Sequence, residues 1–205
     1  MVNSLQRTER TLVLASTSPY RRKILDDLGV AYIAASPHFD EDHQQPLPPE
    51  ELVVSFARGK AESLRDVHPD ALIVGSDQVP EIDGRVLTKP GTAHGAVEQL
   101  LALAGRTHRL LTAVAVHDAR NGRTTHRLIV HVMTMRPLTR ALAEAYVARD
   151  RPLDCAGAYK IEARGVLLCS SMRGEDHTAL VGLPVAALAT LLDEAGASLL
   201  HSSLL

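Results

Sequence analysis

Cysteine is nearly missing from this 205-residue chain. Only Cys155 and Cys169 occur, with no CxxC pair and no metal-ligand spacing. That argues against a disulfide scaffold and a structural zinc motif, and it points to a reducing, cytoplasmic compartment. Long hydrophobic runs are missing too. Residues 1–10 are polar, and the apolar run after them is too short for a signal sequence or a membrane span. No charge of one sign prevails: the net charge is −2 at pH 7. A general nucleic-acid binder would carry a basic excess, so that class is set aside. Repeats, linkers and low-complexity segments are absent. Residues 1–205 therefore read as one domain, with room for two lobes. Lysine is scarce as well, with eighteen Arg against only Lys23, Lys60, Lys89 and Lys160. In such a chain a retained lysine marks a place for a compact ammonium.

What is present is organised around residues 12–28, LVLASTSPYRRKILDDL. A short apolar run of strand composition leads into Ser16, Thr17 and Ser18, and then Pro19. Ser18 before Pro19 reads as an N-cap with proline at the first helical position. Arg21 and Arg22 follow in the first turn, where a helix already carries partial positive charge. Free N–H groups, hydroxyls and two arginines thus converge where a buried strand ends. This outlines a phosphate site; a solvated basic turn is the competing reading.

Residues 31–37 read as a second strand, followed by the polar loop His38-Phe39-Asp40-Glu41-Asp42-His43. Its carboxylates are either a solvated loop or ligands for a hard cation such as Mg²⁺. The histidines lack the third ligand that zinc would require. A helix is predicted over 49–67, with Val53, Phe56, Ala57, Ala61 and Leu64 along one stripe and Lys60 within it. That lysine either snorkels or reaches a buried anion, and a cleft favours the second. The core strand at 71–74 ends in Gly75-Ser76-Asp77-Gln78, where open α/β sheets place their ligand chemistry. A hairpin about Asp83-Gly84 delivers Thr88-Lys89-Pro90. Beyond it, helices are expected at 92–103, 139–149 and 185–196, and strands at 110–117, 124–135 and 165–171. An irregular stretch fills 154–162, and the tail from 197 to 205 is expected to be poorly ordered.

Eight segments in order carry a family resemblance. They are LASTSPYRR at 14–22, Asp40-Glu41, ARGKA at 57–61, GSDQV at 75–79, Lys89-Pro90, GRTH at 105–108, AGAYKIE at 156–162 and VGLP at 181–184. From residue 12 to 196 the chain resembles the Maf family of nucleoside triphosphate pyrophosphatases, also called septum-formation inhibitor proteins. The resemblance implies an α/β, ITPase-like fold: a long mixed sheet with two helical lobes around a central cleft. It implies hydrolysis of a nucleoside triphosphate to monophosphate and pyrophosphate with Mg²⁺ or Mn²⁺, and by analogy a homodimer. Asp77 matches the family's proton acceptor, and Glu41 is the candidate to join it in holding the metal. Ser16, Ser18, Arg21, Arg22, Lys60 and Lys89 would bind the phosphates.

Tyr20, Gln78 and Glu162 match the 7-methyl-GTP branch, whereas the dTTP/UTP branch has Arg, Thr and Gln there. N7-methylation leaves guanine cationic. An aromatic face attracts such a base by about 1–2 kcal/mol when desolvated, and a carboxylate counters its charge. Thr88 and Ala163 stand where the family usually has glycine, and Pro80 is expected to end its strand early. A pyrophosphatase for dTTP, UTP or another nucleotide is the alternative, as is a non-catalytic nucleotide-binding regulator of septum formation.

Overall fold

The computed structural model describes residues 10–200. Its strands are β1 (Leu12–Ala15), β2 (Ile33–Ala35), β3 (Leu72–Ile82), β4 (Arg85–Val86), β5 (Thr107–Asp118), β6 (Arg123–Met135) and β7 (Cys169–Arg173). Its helices are α1 (Pro19–Asp27), α2 (Pro49–Glu62), α3 (Ala93–Leu103), α4 (Arg140–Asp150) and α5 (Val185–Glu194). All seven strands form one mixed sheet in the order β2-β1-β3-β5-β6-β7, with β4 paired to the end of β3. β1 lies parallel to both neighbours, and Val13 stands opposite Ile33 on one side and Ile73 on the other. Parallel neighbours need long crossovers, which α1 and α2 supply. The other pairings are antiparallel.

Strand alternation sorts the core into two layers. Leu12, Leu14, Leu72, Val74, Val114 and Val116 face α1 and α5, meeting Leu25, Leu188, Leu191 and Leu192. Their neighbours Val13, Ala15, Ile73, Val79, Leu111, Ala113 and Ala115 face α2, meeting Val53, Ala57, Ala61 and Leu64. A third cluster joins α3 and α4 to Met133, Met135 and Tyr159. Each fully buried Leu, Val or Met contributes roughly 1.5–3 kcal/mol. Both faces of β1, β3 and β5 are covered, so these strands read as nearly continuous apolar runs.

Several expectations need correction. β2 is only three residues long, and α2 stops at Glu62 rather than 67. β3 does not end before Pro80 but runs through it to Ile82. The Pro80 carbonyl accepts the Leu87 N–H at 2.9 Å, so its backbone points away from β5 and the missing donor costs that ladder nothing. Residues 164–168 form a 3-10 turn, and β7 begins only at Cys169. α5 stops at Glu194, not 196. Leu199 at the described end of the tail is buried in the core, whereas 201–205 lie outside the described residues.

α2 reaches β3 closely because position 75 has no side chain. A Cβ on Gly75 would lie 2.1 Å from the Ala57 carbonyl oxygen and 2.7 Å from the Ala61 nitrogen. Both are backbone atoms of α2 and cannot swing aside. Gly75→Ala is therefore expected to lower unfolding free energy by about 1–3 kcal/mol or more, measured by urea titration. A variant as stable as the parent would refute this contact.

Candidate active site

The end of β1, the start of α1, the middle of β3 and the loops at 37–43 and 154–162 enclose a cleft of about 510 Å³. Ser16, Thr17, Ser18, Pro19, Tyr20 and Arg21 line one wall. Ser18 caps α1, its hydroxyl accepting the Arg21 N–H, with Pro19 in the first turn. Ser16 is buried and its hydroxyl accepts the Ser18 N–H at 3.1 Å. The wall is thus a folded turn at a helix N-terminus, a ready-made anion site. Arg21 is anchored by its Nε, which donates to the Gly182 carbonyl at 2.7 Å. Arg22 turns the other way: its Nη2 donates to the Ser16 carbonyl at 3.3 Å and the residue does not line the cleft. It supports the turn from behind. Lys89 enters from beyond the β3–β4 hairpin and is exposed at the cleft.

Opposite this wall, Lys60 of α2 places its ammonium 2.6 Å from Glu41 Oε1 and 2.6 Å from Asp77 Oδ1. Lys60 and Asp77 are 5% and 6% exposed. Lys60 sits on the inward stripe of α2, and Asp77 on the face of β3 turned to that helix. Glu41 arrives on a loop pinned by aromatic contacts. Phe39 meets Phe56 edge-on at 6.1 Å, and His43 does so at 5.0 Å. Phe39 fits because Gly59 leaves room; a Cβ there would lie 2.1 Å from its ring. Burial raises the Asp77 pKa against the opposing pull of Lys60 and Arg21. For Glu41 burial pushes the same way, but the Lys60 ammonium, with Lys89 and His43, outweighs it and holds the pKa below the ordinary value. Perturbed, mutually bridged carboxylates in a cleft are a signature of chemistry rather than stability. Glu41 and Asp77 are hard oxygen donors meeting at one point, a set that suits Mg²⁺ or Mn²⁺ together with phosphate oxygens. Among the described residues no group of three or more His, Cys, Asp and Glu side chains is placed to hold a metal alone.

Tyr20, Gln78, Tyr159 and Glu162 line the rest of the cleft, beside Asp154 and Cys155. Gln78 is tied by its amide nitrogen, which donates to Thr112 Oγ1 at 2.9 Å and to the Ala179 carbonyl at 2.6 Å. Glu162 is exposed. Burial, Asp154 and Glu162 push the Cys155 thiol up to about 12, against Lys160, so it is no thiolate nucleophile at neutral pH. Tyr159 shares a 2.9 Å hydrogen bond with His108 Nε2.

Residues 11–195 match the family described as "Maf-like protein". The chain belongs to the Maf family. It is 42% identical over 192 residues to a protein of Syntrophotalea carbinolica, covering 93% of this chain and 98% of that one. It is 43% identical over 185 residues to one of Pseudomonas putida, covering 90% and 96%. A Xanthomonas oryzae protein shares 43% over 185 residues, with the same coverage. All three relatives carry the name 7-methyl-GTP pyrophosphatase.

Three features of this Maf-family site were not singled out in the sequence. Ser76 donates to the Gly182 carbonyl at 2.8 Å, Thr112 donates to Ala179 at 3.0 Å, and the buried Asp176 accepts from both Thr178 and the Ala186 N–H. Together they hold the turn at 177–182 against the cleft. Only the Asp176–Thr178 pairing, a capping pattern, had a local signal.

His108 gives this site a pH signature. Burial lowers its pKa from 6.5 to about 4, against a weaker pull from Glu81. Above 6.5 both folded and unfolded states hold it neutral, and its contribution is complete. As pH falls from 6.5 to about 4 only the unfolded chain takes up the proton, so stability is lost, by about 3 kcal/mol at most. His108→Gln is expected to flatten the fall of unfolding free energy across this window. Parallel curves for parent and variant would remove His108 from this role.

Proposed function

We propose that this protein hydrolyses a nucleoside triphosphate to the monophosphate and pyrophosphate, with 7-methyl-GTP as its preferred substrate. The observation that carries the reading is the Glu41–Lys60–Asp77 bridge, which faces the α1 N-terminus across one cleft. A general base thereby confronts an anion site. The names of the relatives support the same activity. The presence of both carboxylates favours catalysis over a role as a non-catalytic regulator. We read the described chain as a single catalytic domain acting in the cytoplasm. Both cysteines are free, and no described helix is long and apolar enough to cross a membrane.

In this mechanism Asp77 accepts the proton of the water that attacks the α-phosphorus. Burial raises its pKa above that of an exposed aspartate, which makes its carboxylate the stronger base. Arg21, Lys60 and Lys89 neutralise the triphosphate and the charge that grows on the departing pyrophosphate. The turn at 16–18 and the first turn of α1 orient the phosphates with backbone donors. Glu41 and Asp77 would hold a divalent cation, which when bound polarises the phosphate and acidifies the nucleophilic water. Lys60 meanwhile keeps the two carboxylates together. Asp77→Asn preserves shape and removes the base, so kcat is expected to fall by about 10²–10⁴-fold with an unchanged circular dichroism spectrum. A near-parental kcat would remove Asp77 from this role.

Tyr20, Gln78 and Glu162 set the preference. The Tyr20 ring attracts a cationic base, and the Glu162 carboxylate accepts from guanine N–H groups while balancing the charge. The test is kcat/KM for 7-methyl-GTP, GTP, dTTP and UTP under one set of conditions, with pyrophosphate release as readout. Highest efficiency is expected for 7-methyl-GTP, and Glu162→Gln is expected to erode the 7-methyl-GTP to GTP ratio more than it slows GTP. Faster turnover of dTTP or UTP would defeat the substrate assignment while leaving the reaction type in place.

A further inference from the structure

The Gln78 amide is held in one orientation by the Ala179 carbonyl and the Thr112 hydroxyl together. Thr112 lies directly opposite Gln78 in the β3–β5 ladder and is fully buried. Its hydroxyl has one proton, and the geometry directs that proton to the Ala179 carbonyl at 3.0 Å. The oxygen is then left with lone pairs only, and it accepts from Gln78 Nε2 at 2.9 Å. The same nitrogen donates to the Ala179 carbonyl at 2.6 Å and lies 3.4 Å from that of Leu180. A carbonyl can only accept, so turning the amide over would set Gln78 Oε1 against the Ala179 carbonyl oxygen and take the Thr112 proton away from it. Among the described residues Oε1 has no hydrogen-bond partner within the protein, and Gln78 lines the cleft.

We propose that Thr112 is a positioning residue for base recognition: it locks Gln78 so that only the carbonyl oxygen is offered to substrate. This deepens the reading under Proposed function and rests on a nucleotide occupying the cleft. With Glu162 also an acceptor, the base end of the cleft then selects bases whose edges carry N–H donors or positive charge. Bases that present mainly carbonyl acceptors meet like against like. Thr112 itself touches no substrate; it acts through Gln78.

The experiment compares the parent enzyme with Thr112→Val, which keeps the shape and removes the hydroxyl, and with Thr112→Ser, which keeps the hydroxyl. kcat/KM is measured for 7-methyl-GTP, GTP, dTTP and UTP, and the discrimination ratio is taken between the best and worst bases of the parent. Thr112→Val is expected to reduce this ratio roughly three- to tenfold, the range of one neutral hydrogen bond. The change should appear in KM with little loss of kcat, and Thr112→Ser should restore it. A second readout uses the parent alone: the Gln78 side-chain N–H protons, followed by nitrogen-15 NMR, should exchange with solvent far more slowly than those of free glutamine. An unchanged ratio in folded Thr112→Val, or an equal loss of kcat for every base, would overturn the proposal. Fast-exchanging Gln78 protons in the parent would do the same even where the valine variant does not fold. Because the ratio refers to whichever base the parent prefers, a parent that favours dTTP or UTP defeats the substrate assignment and leaves the role of Thr112 to be judged on its own.

Discussion

The structure depends on one ammonium shared by two carboxylates. Lys60 sits 2.6 Å from each of Glu41 and Asp77, almost shut off from water. Burying the Lys60 and Asp77 charges costs several kcal/mol each before their attraction is counted, and such clusters are seldom the most stable filling for a core. Its geometry therefore makes demands on the surroundings. Gly75 must lack a side chain so that α2 lies against β3. Phe56 must hold Phe39 and His43 so that the Glu41 loop folds back over the helix. Ala61, Ala57 and Val53 must fix the rotation of α2, so that Lys60 points at the sheet.

The second constraint is the period of two in β3. Ile73, Gly75, Asp77 and Val79 turn to the α2 face, where the charged bridge lies. Leu72, Val74, Ser76 and Gln78 turn to the other, where Ser76 and Gln78 hold carbonyls of the turn at 177–182. In the proposed mechanism one strand thus divides proton chemistry from base recognition, with adjacent residues serving opposite layers. A shift of register by one residue would exchange the two sets, and a sheet covered on both faces resists such a shift.

Where the sequence signal was local, it could be read residue by residue. Ser18 and Pro19 start α1 because a hydroxyl caps free N–H groups and proline needs no partner there. Asp83 and Gly84 turn the β3–β4 hairpin, both at positive φ. The placement of Lys60 on the inward stripe of α2 followed from helical spacing, and Asp77 at a buried strand from its apolar approach. Non-local effects escaped that reading. Pro80 looked like a strand end because its carbonyl partner, Leu87, sits on a different segment. Arg22 looked like a phosphate ligand, but its side chain packs behind the turn on Ser16.

By itself the sequence determined the elements, the core stripes and the identity of the chemical groups. These follow from periodicity, capping and side-chain chemistry within about a dozen residues. Only the tertiary structure decided which groups meet and in which orientation. Glu41 and Asp77 reach one ammonium across 36 residues of chain, and Gln78 is oriented by Thr112 and Ala179, 34 and 101 residues away. Such meetings are set by register, by helix rotation and by which hydroxyl has a proton to give. Each of those is a property of packed elements and not of any single segment.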